Sequence, residues 1–313
     1  MTAQEPVEVS VVSPVYACRE CLEALVDRIA EALSRSTSSY EVILVDDGSP
    51  DDAWTEIEKL AVQRPWLRGV RLSRNFGQHP AIDVGLKQTR GTWVVVMDCD
   101  LQDPPEEIPG LLEKAISGGY DAVFAQRQDR QDKVSKRFNS WAFYKVLSWL
   151  TGVPQDSSSA NFGVFHRRVI DAVIAMPERE KAFPLMVRWV GFSIGYQPVA
   201  HAPRAAGSTS YSLKKLIQLA IHIVLGYSDK PLRMVAGAGI VAALVAFLMA
   251  GISIFLFVNG DITVAGYTSI VASMWLLGGM VLFSVGVVGL YVGQVYSNAQ
   301  GRPAAIVAEV AGE

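Results

Sequence analysis

Val94-Val95-Val96-Met97-Asp98-Cys99-Asp100-Leu101-Gln102-Asp103-Pro104-Pro105-Glu106-Glu107 is the stretch that decides the fold. Four apolar residues in a row read as a buried strand, and they deliver two carboxylates into one loop. Alternate residues of an extended chain point the same way, so Asp98, Asp100 and Gln102 are expected to converge on one cation. Three hard oxygen donors suit Mg²⁺ or Mn²⁺, which keep open positions for water and for phosphate oxygens. Alone, the acidic triplet reads more readily as a solvated turn. The next five residues argue for a site: Asp103 as helix N-cap, Pro104 at the first helical position and Glu106 and Glu107 in the first turn. Strand, acidic loop and capped helix together point to a metal-bound diphosphate.

Outward from this stretch the chain alternates strand and helix patterns. Strands are expected at Val7 to Ser13, Glu41 to Asp46, Leu67 to Leu72, Trp93 to Asp98 and Ala122 to Ala125. Helices are expected around Cys21 to Leu33, Trp54 to Ala61, Ala81 to Thr89 and Glu106 to Ile116. This is the pattern of an α/β domain with a doubly wound, mostly parallel sheet, whose ligands sit beyond the carboxyl ends of the strands. Three of those ends turn polar, at Ser13-Pro14, Asp46-Asp47-Gly48-Ser49 and Asp98 to Gln102, so they should face one crevice. Asp46 and Asp47 suit either a turn or the acceptance of a base N–H or ribose hydroxyl. No glycine arrangement matches a dinucleotide or P-loop fingerprint. Cys18 and Cys21 form a CxxC without a second ligand pair, which reads as two small residues opening a helix rather than a zinc site. His79 and His166 have no metal partner by spacing and are read as structural or substrate-lining.

The 313 residues carry a formal net charge of −3, which gives no general case for nucleic acid. Charge is spread unevenly: none occurs from Val235 to Val258, nor from Ile262 to Gly301. A helix of the first length spans roughly 36 Å, enough to cross a bilayer. Two transmembrane helices are therefore expected, near residues 234–258 and 268–294. The connection from Asn259 to Tyr267 has no Lys or Arg, whereas Lys214, Lys215, Lys230, Arg233 and Arg302 flank the outer ends. The positive-inside rule then places the N-terminal domain and the tail in the cytoplasm. Met1 to Val9 lacks the basic start and apolar core of a signal peptide. Three cysteines cannot make a disulfide framework, in keeping with a cytosolic setting. The expected organisation is a cytoplasmic α/β domain over 1–210, an amphipathic interfacial segment over 211–230, the two spans within 231–296 and a cytoplasmic tail over 297–313.

A basic run, Arg127, Arg130, Lys133, Lys136 and Arg137, precedes the aromatic stretch Phe138 to Leu150. A charge run is commonly a solvated face, but beside interfacial aromatics it reads as a helix lying on a membrane with cations aimed at phosphate. Ser212 to Leu225 is a second such segment. Gly289 and Gly293 provide a GxxxG for close helix packing, within a hairpin or between subunits of a homo-oligomer.

Ser13-Pro14-Val15-Tyr16, Val45-Asp46-Asp47-Gly48-Ser49-Pro50-Asp51, Ser73-Arg74-Asn75-Phe76-Gly77 and Asp98 to Pro105 together resemble the inverting, GT-A-fold family 2 glycosyltransferases. More narrowly the chain is similar to the membrane-bound polyprenyl-phosphate glycosyltransferases, a group that includes dolichol-phosphate mannose synthase and bacterial undecaprenyl-phosphate glucosyltransferases. Gly207 to Leu216, the two apolar stretches and Gly301-Arg302-Pro303 extend the resemblance over nearly the whole chain. It implies a multi-pass enzyme of the inner (cytoplasmic) membrane that transfers one sugar, with inversion, from a nucleotide-diphosphate sugar to a polyprenyl phosphate for cell-envelope glycan modification. UDP-hexose is the expected donor and Mg²⁺ or Mn²⁺ the expected cofactor. By the same resemblance Pro14, Tyr16, Asp46, Asp47, Asn75 and Asp98 would bind the donor, and Asp98, Asp100 and Gln102 the metal. Arg127, Lys136, Arg137 and Ser140 would meet the acceptor phosphate, with Asp98, Asp100 and Arg127 carrying catalysis.

Three positions depart from the pattern. Ala17 stands where Asn is frequent, and Ser157 to Asn161 replaces a more acidic segment, which puts a catalytic role for Asp156 in doubt. Leu185 with Arg188-Trp189 lacks the leading Gln of the QxxRW motif of processive synthases. A processive polysaccharide synthase is the alternative enzyme, disfavoured by that absence and by only two spans. A non-catalytic, membrane-anchored nucleotide-sugar binding protein is the alternative without chemistry.

Overall fold

Runs rich in Val, Ile and Leu, buried on both faces, become the strands of one sheet. The computed structural model describes residues 7–37, 39–127, 159–178, 181–199, 228, 230–259 and 266–312. They belong to two units, one of residues 1–145, 153–211 and 302–313, the other of residues 146–152 and 212–301. In the first unit the strands are β1 (Val9–Val15), β2 (Tyr40–Asp46), β3 (Leu67–Leu72), β4 (Trp93–Val96), β5 (Ala122–Arg127), β6 (Ser159–His166), β7 (Ile194–Val199) and β8 (Val307–Ala311). Their order is β7-β5-β6-β4-β1-β2-β3-β8.

β1 lies parallel to β2 and β4, β2 to β3, and β5 to β7. β6 and β8 run antiparallel to their neighbours, so the sheet is mixed but mostly parallel, as expected. The chain steps from β1 to β2 to β3 and then returns to place β4 on the other side of β1. Loops leaving β1 and β4 therefore diverge, and the crevice of an open α/β sheet forms at this switch point. β1 is buried at every position. Its Pro14 lacks an N–H, which is tolerated because the β1–β4 ladder ends at Val12 opposite Val96.

Helices cover both faces. α1 (Leu22–Ser34) packs with α2 (Ala53–Gln63) and α4 (Ile108–Gly118), whereas α3 (Gln78–Gln88) packs with α5 (Arg167–Ala175) and α6 (Phe183–Trp189). The apolar period of α1 puts Leu22, Leu25, Val26, Ile29 and Leu33 into the core. On the other face α3 sits so close to the sheet that a Cβ on Gly85 would lie 2.4 Å from Val12 Cγ1.

Several boundaries differ from those expected. β4 ends at Val96, leaving Asp98 beyond the strand, just before the turn at Cys99 and Asp100. α4 starts at Ile108 after a 3₁₀ turn over Pro105–Glu107, with Pro104 rather than Asp103 in the capping position. Glu106 is held there by a paired contact with Arg28, both bonds 2.7 Å long. Within the expected tail, Val307–Ala311 forms β8 and closes the β3 edge, with Ser73 N donating to Ile306 O at 2.9 Å.

The second unit contains α7 (Lys230–Val258) and α8 (Tyr267–Ala299), and Tyr291 Oη donates to Ser228 O at 2.7 Å. The expected pair of spanning helices is corrected here. Among the described residues one stretch, Leu276–Ala299 with mean hydropathy 2.0, is long and apolar enough to cross a membrane. Uncharged sequence at 268–275 begins with Thr and Ser and falls outside that stretch, and the described side chains of α7 do not form a second one. Among the described residues, a Cβ added at Gly289 or Gly293 of the expected GxxxG meets nothing within 4 Å. Most of the expected interfacial segments, 138–150 and 211–230, lie outside the described residues, as does Asp156.

A buried ionic knot ties the opposite, amino edge of the sheet. Glu41 accepts from Ser10 Oγ at 2.6 Å, from Arg90 N at 2.7 Å and from Arg68 Nη2 at 2.7 Å. Burial alone would raise its pKa, but the Ser10 hydroxyl, the Arg90 amide and the two guanidinium groups outweigh burial and hold it below the ordinary value of 4.5. A carboxyl with a lowered folded pKa stabilises above its unfolded pKa, and that contribution is lost as pH falls through the folded value. Glu41→Gln should therefore cost about 3 kcal/mol in denaturant unfolding at pH 7, and the difference from wild type should shrink below pH 4.5.

Candidate active site

Four loops leave the carboxyl ends of β1 to β4, and side chains stitch each one to the next. The β1 loop meets the β2 loop where Ala17 N donates to Ser49 Oγ at 3.2 Å and Arg19 N to Asp51 Oδ2 at 2.8 Å. The β2 loop meets the β3 loop through Asp47, whose two oxygens accept from Phe76 N at 2.7 Å and Gly77 N at 2.9 Å. Gln78, opening α3, donates to Asp98 Oδ1 at 2.6 Å and joins the β3 and β4 loops. The circuit closes where the Cys18 thiol donates to Cys99 O at 3.0 Å.

Glycine is required at one of these junctions. Gly48 has φ of 64°, and a Cβ there would lie 2.7 Å from both Arg74 C and Asn75 N. Backbone thus meets backbone between the β2 and β3 loops, with no room for a side chain.

The ring surrounds an open cavity of about 1100 Å³. Of the expected donor-site residues, Pro14, Tyr16, Asp47, Asn75 and Asp98 line it, together with Asp100. Tyr16 is half exposed at its rim, where a ring suits stacking on a planar base. Asp46 is not among the lining residues: it is buried, its Oδ1 accepts from Ser49 N at 2.9 Å, and Arg71 lies 3.8 Å from Oδ2. Gln102 is also absent from the lining. Leu101 takes a left-handed conformation with φ of 59°, which breaks the extended alternation on which the convergence of Asp98, Asp100 and Gln102 depended. The Gln102 backbone N–H donates to Asp100 Oδ1 at 3.2 Å.

Burial raises the Asp47 carboxyl above its ordinary value, in spite of the two amide donors that favour its ionised form. Burial also lowers His79 to about 4, so its imidazole is neutral at pH 7. Among the described residues no group of three or more His, Cys, Asp or Glu is placed to hold a metal ion. Asp98 and Asp100 remain as two carboxylates on one cavity, a set that leaves positions open for diphosphate oxygens and water and so fits Mg²⁺ or Mn²⁺.

Arg127 closes β5 opposite Val199. β5 is antiparallel to β6, which is antiparallel to β4, so β5 ends at the same edge of the sheet as β4. Lys136, Arg137 and Ser140 lie outside the described residues. Sequence reasoning missed Cys18, Gln78 and Asp51, which line the cavity and join its loops. The CxxC contains Cys18, the Val45–Asp51 motif ends at Asp51 and Gln78 follows the Ser73–Gly77 motif, but none of these patterns reveals a cross-loop partner.

Residues 10–173 match the family described as glycosyl transferase family 2. The chain belongs to that family. This family 2 glycosyltransferase is 36% identical over 299 residues to the undecaprenyl-phosphate 4-deoxy-4-formamido-L-arabinose transferase of Aeromonas hydrophila, covering 94% of this chain and 91% of that one. It is 33% identical to an uncharacterised glycosyltransferase of Synechocystis, covering 98% and 96%. Among solved structures, glucosyl-3-phosphoglycerate synthase from Mycobacterium tuberculosis in complex with Mn²⁺, uridine-diphosphate-glucose and phosphoglyceric acid aligns at a TM-score of 0.51 with 19% identity, covering 70% of this chain and 78% of that one. That likeness shows the GT-A-like fold.

Asp47 anchors the glycosyltransferase's β3 loop through both oxygens. In Asp47→Asn the side-chain NH₂ would face one of the two backbone donors and leave it unpaired. The expected cost is about 1–3 kcal/mol in chemical denaturation, with a larger loss than for Asn75→Ala, a residue to which the loop junction gives no comparable anchoring role.

Proposed function

We propose that this glycosyltransferase moves a single sugar from a nucleotide-diphosphate sugar to undecaprenyl phosphate, in a metal-dependent inverting reaction at a membrane surface. The observation that carries the reading is the placement of Asp98 and Asp100 in one cavity with Pro14, Tyr16 and Asp47, at the switch point of the sheet. Near full-length similarity to transferases named for undecaprenyl phosphate supports the acceptor. An apolar stretch able to cross a membrane supports the setting, because the polyprenyl chain stays in the bilayer. UDP-hexose is the first donor to test, and the formamido-arabinose donor implied by the names of those relatives is its rival.

The acceptor phosphate is its own nucleophile. With a second pKa near ~6 it is largely ionised at neutral pH, so no strong general base is needed. Charge control is the main requirement. Arg127, at the shared carboxyl edge, is proposed to draw the acceptor phosphate in line with the sugar carbon, with Lys136, Arg137 and Ser140 as further partners. Attack from the face opposite the leaving group inverts the anomeric centre. Asp98 and Asp100 would hold Mg²⁺ or Mn²⁺, whose charge offsets that of the departing diphosphate. Tyr16 and Asn75 are proposed to seat the nucleoside on the cavity wall.

The test is incubation of the full-length protein with undecaprenyl phosphate and a panel of labelled nucleotide sugars. One sugar per lipid from a single preferred donor is expected, and Asp100→Asn should lower turnover at least a hundredfold while keeping the wild-type unfolding midpoint. Full turnover in excess chelator, or repeated addition to one product, would overturn the reading.

A further inference from the structure

Cys18 and Cys99 sit on the two loops that diverge at the switch point, 81 residues apart in sequence, and their contact joins those loops directly. Both are buried, at 8% and 7% exposure, and both line the cavity. Each neighbours a residue in a left-handed conformation that side chains disfavour. Ala17 has φ of 52° immediately before Cys18, and Leu101 has φ of 59° two residues after Cys99. Such backbone persists only where surrounding contacts over-determine it. On the β1 side those contacts are Ala17 N to Ser49 Oγ and Arg19 N to Asp51 Oδ2, which fix the backbone on either side of Cys18. On the β4 side Asp98 is held by Gln78, and the peptide between Asp98 and Asp100 is held by the Cys18 thiol.

We propose that Cys18 is a positioning residue for the cation site: through the Cys99 carbonyl it fixes the turn that presents Asp98 and Asp100 to the metal and the donor diphosphate. This deepens the proposed function and rests on it. The thiol is suited to the task in its protonated form, since only S–H can donate to the carbonyl. Hydrogen bonding with Cys99, then burial and the nearby Cys21, push the Cys18 pKa well up, so the donor proton stays in place at neutral pH. The same shift makes Cys18 a poor nucleophile, which argues against a thiol-exchange role for it.

The experiment is a Mn²⁺ titration of the full-length protein with saturating UDP, read by the paramagnetic resonance of free Mn²⁺, for wild type, Cys18→Ala and Cys18→Ser. Thermal unfolding of each variant is measured alongside. Cys18→Ala should raise the Mn²⁺ Kd about three- to tenfold, the range that corresponds to loss of one modest hydrogen bond. Cys18→Ser, whose hydroxyl can still donate, should recover most of the affinity. In transfer assays the alanine variant should need proportionally more Mn²⁺ for half-maximal rate, yet reach a rate within about twofold of wild type when Mn²⁺ is saturating. A purely structural thiol would instead lower the unfolding temperature with the Mn²⁺ Kd unchanged, and that outcome overturns the proposal while leaving the reaction intact. Equal weakening in the alanine and serine variants also overturns it. Absence of Mn²⁺ binding by wild type would overturn the proposed function itself, and this inference with it.

Discussion

The Asp47 carboxylate, with one oxygen on Phe76 N and the other on Gly77 N, is the constraint on which the site depends. A parallel sheet aligns the carboxyl ends of its strands but leaves their loops independent. Asp47 removes that independence between β2 and β3 at the place where Gly48 lets the two backbones touch. Gln78 then opens α3 beside Asp98, and the rest of the ring follows from short contacts between neighbouring loops. Burying a carboxylate among amide donors costs desolvation, which its raised pKa reports, and the paired hydrogen bonds offset that cost.

This arrangement separates stability from chemistry along the strand direction. At the amino edge, Glu41 with Arg68 and Arg90 forms a charge cluster remote from the cavity-lining residues. At the carboxyl edge, acidic side chains are held by backbone amides and by a glutamine, so the cavity keeps a negative wall suited to a cation. A diphosphate brought in with that cation meets an already ordered surface, and little ordering remains to oppose binding.

Much of this was legible in the sequence, for identifiable reasons. The β1 to β4 half of the sheet could be read because each strand is an uninterrupted apolar run ending in polar residues, and Asp98 and Asp100 could be placed because the run before them is short and unambiguous. Gln102 was expected beside them because the alternation of an extended strand was carried past Val96, where the structure instead has the left-handed Leu101, and Gln102 does not line the cavity. β8 was missed because five residues after a long apolar helix have no turn signal of their own; the strand exists through its pairing with β3. The antiparallel direction of β6 and β8 was hidden for the same reason, since strand direction depends on long-range pairing and leaves no mark in local composition. Cys18 was read correctly as small and buried, while its partner on another loop could be seen only in three dimensions.

The central claim is that Asp98 and Asp100 hold a divalent cation against a nucleoside diphosphate in the crevice between the β1 and β4 loops. Pulsed electron–nuclear resonance of Mn²⁺ bound to the protein together with UDP addresses this directly, because ³¹P hyperfine coupling appears only when phosphate oxygens ligate the metal. The account predicts one Mn²⁺ per chain with phosphorus coupling, and its loss when Asp98 and Asp100 are both replaced by Asn. Mn²⁺ bound without phosphorus coupling, or coupling that survives the double replacement, would contradict it.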